Sequence, residues 1–212
     1  MSYLHPEARL IVFAKAPVFG SVKTRLIPEL GEEGATDLYK RLLVNTLKIA
    51  KGSKVAPMEL WIDKEHDFLL ELAEKFDSRI MFQQGADLGE KMLGAFEETI
   101  PSAKGAVIIG TDCISLTKVF LQEAFDSLES SAQVVLGPAF DGGYVLIGMN
   151  DVQETLFKDI EWSTDSVLSK TKNLIDKLGL KYHELPTGYD VDIPSDLERL
   201  SVDLLKDLPR KN

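Results

Sequence analysis

The apolar positions of this chain fall into two alternating rhythms. Short continuous runs at residues 9–14, 58–62, 79–82 and 105–110 suit strands covered on both faces of a sheet. Between them the spacing widens to every third or fourth residue. Leu38, Leu42, Leu43, Leu47 and Ala50 mark one face of a helix over 34–51, and Phe68, Leu69, Leu72, Ala73 and Phe76 mark a second helix. Leu88, Met92, Ala95 and Phe96 mark a third over 87–99, and Phe120, Leu121, Ala124, Phe125 and Leu128 a fourth. The βαβαβαβα order predicts right-handed crossovers and an α/β architecture of three α/β/α layers.

After residue 130 the rhythm changes. Two apolar strands, 133–139 and 143–149, are separated only by Phe140-Asp141-Gly142, which leaves no room for a crossover helix. They are either antiparallel to each other or members of different strand pairs, so the sheet is expected to be mixed but mainly parallel. A helix over 163–177, a strand at 181–185 and a last helix over 194–205, with Pro194 in its first turn, complete the reading. No linker, internal repeat or heptad run interrupts it, so residues 1–212 are expected to form a single domain.

Composition changes the picture mainly by exclusion. A formal net charge of −10 argues against nucleic acid as a general partner, and no apolar run approaches a membrane span. The first residues lack the basic-then-apolar layout of a signal peptide, which makes a cytoplasmic location the expectation. Cys113 is the only cysteine, so an internal disulfide and a Cys-based zinc site are excluded. Cys113 reads as a small buried side chain, and His5, His66 and His183 are dispersed without ligand spacing. Against the acidic whole, the first 50 residues hold seven Lys or Arg and five Asp or Glu. Lys15, Lys23 and Arg25 fall in a Pro/Gly-punctuated loop after the first strand, which suits a di- or triphosphate and equally a solvated loop.

That loop matches neither common phosphate cradle. A Walker loop requires glycines where Pro17 and Val22 stand, and Ala14 to Gly20 supplies one glycine of a dinucleotide fingerprint. Three acidic features remain. Asp112 ends the apolar run Ala106-Val107-Ile108-Ile109-Gly110-Thr111, at the strand edge where open α/β sheets bind ligands; it is also a turn former or helix cap. In Gly137-Pro138-Ala139-Phe140-Asp141-Gly142-Gly143-Tyr144 paired glycines beside an acid permit close backbone approach to a ligand, or form a plain hairpin turn. In Gly188-Tyr189-Asp190-Val191-Asp192-Ile193-Pro194-Ser195-Asp196, alternation lets Asp190 and Asp192 face one side and join Asp112 on a divalent cation, while Asp196 favours the helix N-terminus.

Taken together, Phe13-Ala14-Lys15-Ala16-Pro17, Gly20, Lys23-Thr24-Arg25-Leu26, Asp87-Leu88-Gly89-Glu90, Met92, Gly110-Thr111-Asp112-Cys113, Gly137-Pro138-Ala139, Asp141-Gly142-Gly143-Tyr144 and Trp162-Ser163-Thr164 resemble the nucleotide-diphospho-sugar transferase superfamily. The resemblance is to its small bacterial branch of the radical SAM/selenodomain-associated transferase type, over nearly the whole chain. It implies a GT-A-like mixed sheet whose first loop wraps nucleotide phosphates and an acid after the fourth strand that binds Mg²⁺ or Mn²⁺. By position it implies that Ala14, Lys15, Lys23, Arg25 and Thr111 meet the nucleotide, and that Gln84, Asp87, Leu88 and Gly89 meet its base or ribose. Asp112 would hold the metal with Asp190 or Asp192. Gly142, Gly143, Tyr144 and Trp162 would line an acceptor site, although Trp162-Ser163-Thr164 could equally cap and underpin the following helix. The chain departs from the branch at Ile114, where proline is usual, and in having one acid at Thr111-Asp112-Cys113 where glycosyltransferases carry Asp-x-Asp.

The activity so implied is metal-assisted sugar transfer from a nucleotide-sugar to a small-molecule acceptor. Lys23 and Arg25 would share the leaving-group charge, and Asp141 would act as the general base. Nucleotidyl transfer from an NTP to a phosphorylated small molecule is the alternative, guanylyl or cytidylyl, and a noncatalytic nucleotide-binding protein is a third.

Overall fold

The first strand has neighbours on both sides, and this decides where the site lies. The computed structural model describes residues 2–208. Its strands are β1 (Arg9–Ala14), β2 (Met58–Ile62), β3 (Arg79–Phe82), β4 (Ala106–Ile109), β5 (Val134–Pro138), β6 (Tyr144–Met149) and β7 (Tyr182–Glu184). They form one sheet in the order β3-β2-β1-β4-β6-β5-β7. β1, β2, β3 and β4 run parallel, β7 is parallel to β5, and β6 runs antiparallel to both β4 and β5. The sheet is therefore mixed and mainly parallel, as expected, and the two late strands are antiparallel neighbours. Because the chain travels outward from β1 through β2 to β3 and then returns to β4 on the other side, the loops after β1 and β4 leave the same carboxyl edge side by side. Such a switch point is where open α/β sheets make their ligand crevice.

The helices are α1 (Ile27–Ser53), α2 (Asp67–Lys75), α3 (Leu88–Thr99), α4 (Lys118–Ser130), α5 (Val167–Lys177) and α6 (Val202–Leu205). One core layer packs Leu43, Leu47, Leu69, Leu72, Leu121 and Phe125 of α1, α2 and α4 on the sheet. The opposite layer takes Met92, Ala95, Phe96 and Ile175 of α3 and α5. Phe96 and Phe125 are fully buried, each stabilising the fold by roughly 1.5–3 kcal/mol. A smaller cluster joins Leu26, Leu30, Leu38 and Leu42 to Val191 and Leu200, which ties the loop after β1 to the end of the chain. No helix among the described residues is long and apolar enough to cross a membrane.

Three helix boundaries differ from the periodicity. α1 begins at Ile27 rather than Gly34, because the chain passes a break at Gly31 (φ 73, ψ 170) while Leu26 and Leu30 stay anchored in the core. The helix expected over 163–177 starts at Val167, since Ser163 adopts φ 65 and lies outside it, so Ser163 does not cap it. The last helix, expected over 194–205, divides into a 3₁₀ turn at Pro194–Arg199 and the short α6. Asp196 does serve a helix start there: its Oδ2 accepts the backbone N–H groups of Asp192 and Ile193, each at 2.9 Å.

Candidate active site

Side chains, more than backbone, hold the start of the loop after β1. The Tyr39 hydroxyl accepts the Lys15 N–H at 2.7 Å and donates to the Lys15 carbonyl at 2.9 Å, while Asp63 Oδ1 accepts the Ala16 N–H at 2.7 Å. Burial pushes the Tyr39 hydroxyl up to about 12, so it stays a neutral donor here. Ala14 is buried, and its carbonyl accepts from Asp63 N and Gln83 Nε2. The amides of residues 15 and 16 are thus spent inside the protein, and Lys15 can offer a phosphate only its exposed side chain.

Further along, buried Val22 and Leu26 grip the loop on either side of Lys23. Lys23 adopts the left-handed conformation (φ 47, ψ 42), costly for a non-glycine, at the head of a 3₁₀ turn over Thr24–Leu26. Its ammonium donates to Asp112 Oδ2 at 2.6 Å and to Asp192 Oδ1 at 2.9 Å, with 6% of the side chain exposed. Burial pulls the Lys23 ammonium down, and the charges of Asp112 and Asp192 more than offset this, holding it above its ordinary 10.5. Arg25 is exposed, its Nη1 3.9 Å from Asp192 Oδ2, free to turn toward a ligand.

The late acids reach this edge because their segment is stitched across it. Gly188 N–H donates to the Pro138 carbonyl, Tyr189 N–H to Ser115 Oγ, and Ile114 N–H to the Tyr189 carbonyl. Val191 is fully buried, so the alternating neighbours Asp190 and Asp192 turn the other way. Asp141, Asp190 and Asp192 each present a carboxylate oxygen, all within 4.8 Å of one another. Burial, and then the charges of Asp141, Asp112 and Asp192, push the Asp190 carboxyl up from 3.8 to about 6. Oxygen donors crowded in this way suit a hard divalent cation such as Mg²⁺ or Mn²⁺.

The structure brings Lys23, Arg25, Asp112, Asp141, Asp190 and Asp192 to one place. Asp141 belongs to the three-acid group, whereas Asp112 faces Lys23. The Thr111 carbonyl accepts the buried Thr46 hydroxyl at 3.2 Å, which fixes the strand end behind Asp112. Cys113 is buried beside Ser115, its thiol pushed up by burial, consistent with an inert side chain. The imidazole of His5 sits between Asp126 and Glu129 at 3.0 and 3.1 Å, tying the start of the chain to α4 with both ring nitrogens.

Other expected residues do different work. Asp87 caps α3 through the Glu90 N–H, Leu88 is largely exposed, and Gln84 lies exposed after β3. Its neighbour Gln83 is the inward one, its amide bridging the Ala14 and Trp61 carbonyls. Gly89 is required by packing, since a Cβ there would lie 2.4 Å from the Trp162 indole. Gly142 (φ +88) is required because a Cβ would lie 2.2 Å from the Asp165 carbonyl oxygen of the loop before α5. Gly143 donates its N–H to Asp141 Oδ1 at 2.9 Å and closes the turn.

Tyr144 and Trp162, expected to line an acceptor site, are half-buried and pack on each other. Their rings meet edge to face at 6.4 Å, and Trp162 stacks on Phe157. The Tyr144 hydroxyl and Trp162 Nε1 are buried and find no hydrogen-bond partner among the described residues. Sequence reasoning missed Tyr39, Asp63 and Gln83, whose signal is faint: single polar tips next to apolar positions.

The chain matches, over residues 46–164, the model of a family described as an uncharacterized protein conserved in bacteria (DUF2064). No curated protein matches it. A crystal structure from Desulfovibrio desulfuricans G20, of a protein provisionally assigned as a nucleotide-diphospho-sugar transferase, superimposes with TM-score 0.82 at 27% identity, covering 95% of this chain and 89% of that one. The 4-diphosphocytidyl-2C-methyl-D-erythritol synthase of Anaerococcus prevotii DSM 20548 gives 0.60 at 10% identity, covering 95% and 99%. Glucosyl-3-phosphoglycerate synthase of Mycobacterium tuberculosis, in complex with Mn²⁺, UDP and glucosyl-3-phosphoglycerate, gives 0.55 at 12%, covering 95% and 78%. The last two are similar in fold alone.

Proposed function

The chain belongs to the bacterial family DUF2064 within the nucleotide-diphospho-sugar transferase superfamily, and from that premise we propose that it transfers a sugar from a nucleotide-sugar to a small-molecule acceptor with the help of Mg²⁺ or Mn²⁺. The observation that carries this reading is that Lys23 bonds Asp112 and Asp192 while Asp192 also groups with Asp141 and Asp190, with Arg25 beside Asp192. An acid-rich crevice with a buried Lys23 and an exposed Arg25 fits a metal-chelated diphosphate better than either a bare anion or a neutral ligand. A bound divalent ion would supply charge neutralisation of the diphosphate as the leaving group departs. Asp141, Asp190 and Asp192 would hold it together with Asp112. Arg25 would take a phosphate oxygen in its planar fork, and Lys23 would follow the charge as a point donor. Asp141 would also be the nearest carboxylate to an acceptor hydroxyl on the β5–β6 side. Residues 1–212 would act as one unit, since every strand among the described residues belongs to the same sheet.

One observation favours a second reading. Asp141 lies among the metal-ligand candidates, and a phosphate acceptor needs no general base, so nucleotidyl transfer to a phosphorylated small molecule fits an Asp141 devoted to metal. Product analysis separates the two. Nucleoside diphosphate released from a panel of nucleotide-sugars with Mn²⁺ supports sugar transfer. Pyrophosphate released from CTP or GTP with acceptor phosphates supports nucleotidyl transfer, and turnover with neither class refutes both.

A further inference from the structure

We propose that Lys23 is a built-in counter-ion that competes with the divalent cation for the same carboxylates, so that metal enters together with the polyphosphate chain that draws Lys23 away. This rests on reading the acid cluster as a metal–diphosphate site. The Lys23 ammonium lies 2.6 Å from Asp112 Oδ2 and 2.9 Å from Asp192 Oδ1, which bonds it to two of the four acids available to a cation. A divalent ion ligated by the same carboxylates would stand within a few ångströms of the ammonium, where two cations repel strongly in so secluded a place. Lys23 therefore has to leave for the metal to settle.

Its backbone has nowhere to go. Val22 and Leu26 are buried on either side, and the left-handed turn at Lys23 is fixed by that anchoring, so the displacement falls to the side chain. Lysine suits such a transfer. Its charge is compact, sits on four rotatable carbons and donates in three directions, whereas an arginine would lock both carboxylates in bidentate geometry. A diphosphate is the partner that compensates the move, because its oxygens replace the two carboxylates as acceptors for Lys23 and it brings the cation that replaces Lys23 on them. Asp141 and Asp190 carry no such lysine contact, which leaves the crevice with an acid excess that one ammonium cannot neutralise. Free divalent ions are thereby disfavoured, free nucleotide is repelled, and the chelate satisfies both halves. Metal and nucleotide binding are positively coupled through one side chain.

The test measures Mn²⁺ binding by electron paramagnetic resonance, with Mn²⁺ alone and with saturating UDP, GDP or CDP, corrected for chelation by the nucleotide itself. The wild type is expected to bind Mn²⁺ alone weakly and, with the diphosphate it accepts, about tenfold or more tightly. Lys23→Met is expected to bind Mn²⁺ alone about tenfold more tightly than wild type and to lose most of the nucleotide enhancement. Lys23→Ala provides a second route if the methionine variant misfolds: added propylammonium should restore the missing cation and weaken Mn²⁺ binding in this variant only. If folded Lys23→Met binds Mn²⁺ no more tightly than a wild type that responds to nucleotide, or propylammonium has no effect on Lys23→Ala, the competition is refuted while the proposed function stands. If neither wild type nor variant binds Mn²⁺ with any diphosphate, the metal–diphosphate reading itself falls and takes this inference with it.

Discussion

Replacing Asp190 by Asn removes one charge from a group of like charges without changing its shape, and the structure sets the size of the effect. Burial and the neighbouring Asp141, Asp112 and Asp192 raise this carboxyl from 3.8 to about 6. Between these two values the native state holds more protons than the unfolded chain, so stability falls as pH rises through that window and the full cost is present above pH 6. The raised value corresponds to roughly 3 kcal/mol, which solvent screening at a half-buried side chain reduces to about 1–2 kcal/mol. Asp190→Asn should therefore be more stable than wild type at pH 7.5 by that amount, raising Tm by about 3–6 °C for a chain of this size. The advantage should largely disappear by pH 4, where the native carboxyl is protonated and the unfolded one about half so. Thermal unfolding in EDTA at the two pH values measures it. Mn²⁺ added together with the nucleoside diphosphate that the protein accepts should reverse the order, stabilising wild type more than the variant. A variant less stable than wild type at pH 7.5 in EDTA, or an advantage that persists unchanged at pH 4, would show that the carboxylates do not strain the fold.

Other perturbations probe the supports of the site. Gly142→Ala places a methyl group 2.2 Å from the Asp165 carbonyl oxygen at a φ of +88°, and urea unfolding should show a loss of about 2–4 kcal/mol with the Asp141 turn displaced. Gly89→Ala drives a methyl group into the Trp162 indole at 2.4 Å and should cost about 1–3 kcal/mol; combined with Trp162→Ala it should cost less than the two single losses together, as a double-mutant cycle will measure. Asp112→Asn should lower turnover by a factor of about 10² or more in steady-state kinetics, and should also lower Tm because the buried Lys23 ammonium keeps only Asp192 as a close partner.

The central parallel strands were legible because strands buried on both faces are written as largely apolar runs; all five residues of β2, Glu59 included, and all four of β4 are buried. The position of β6 between β4 and β5 was not, since it depends on pairing between distant segments that no local pattern encodes. Gly31 reads as a helix breaker, yet its break is spanned because Leu26 and Leu30 bury the turn before it. Within the site, Asp112 stood out at the end of a buried strand, Lys23 in a basic loop on an acidic chain, and Asp190 and Asp192 by their alternation in an extended segment. Gln84 was singled out where Gln83 makes the inward bonds, a difference of one residue that reverses the face in extended chain. The packing of Trp162 on Gly89 was not legible, because nothing local records that the loop before α5 folds back over Gly89 and Gly142.

Whether the acceptor is a hydroxyl or a phosphate turns on what Asp141 does, because one carboxylate cannot be both ligand and base at full strength. Its Oδ1 already accepts the Gly143 N–H at 2.9 Å, and a carboxylate oxygen of Asp141 lies within 4.8 Å of those of Asp190 and Asp192. A divalent ion drawn to that trio would take up the remaining electron pairs and with them the basicity that a sugar hydroxyl requires. If Asp141 is a ligand, Asp141→Asn should weaken Mn²⁺ binding and turnover together, and the pH dependence of kcat/KM should keep its acidic limb. If it is a base, the variant should retain Mn²⁺ affinity, lose about 10²-fold in kcat and lose that limb. The first outcome points to an acceptor that arrives ionised and so to nucleotidyl transfer onto a phosphate. The second points to a neutral hydroxyl and sugar transfer. A variant with wild-type affinity and wild-type rate would leave Asp141 as a turn residue and remove it from the chemistry.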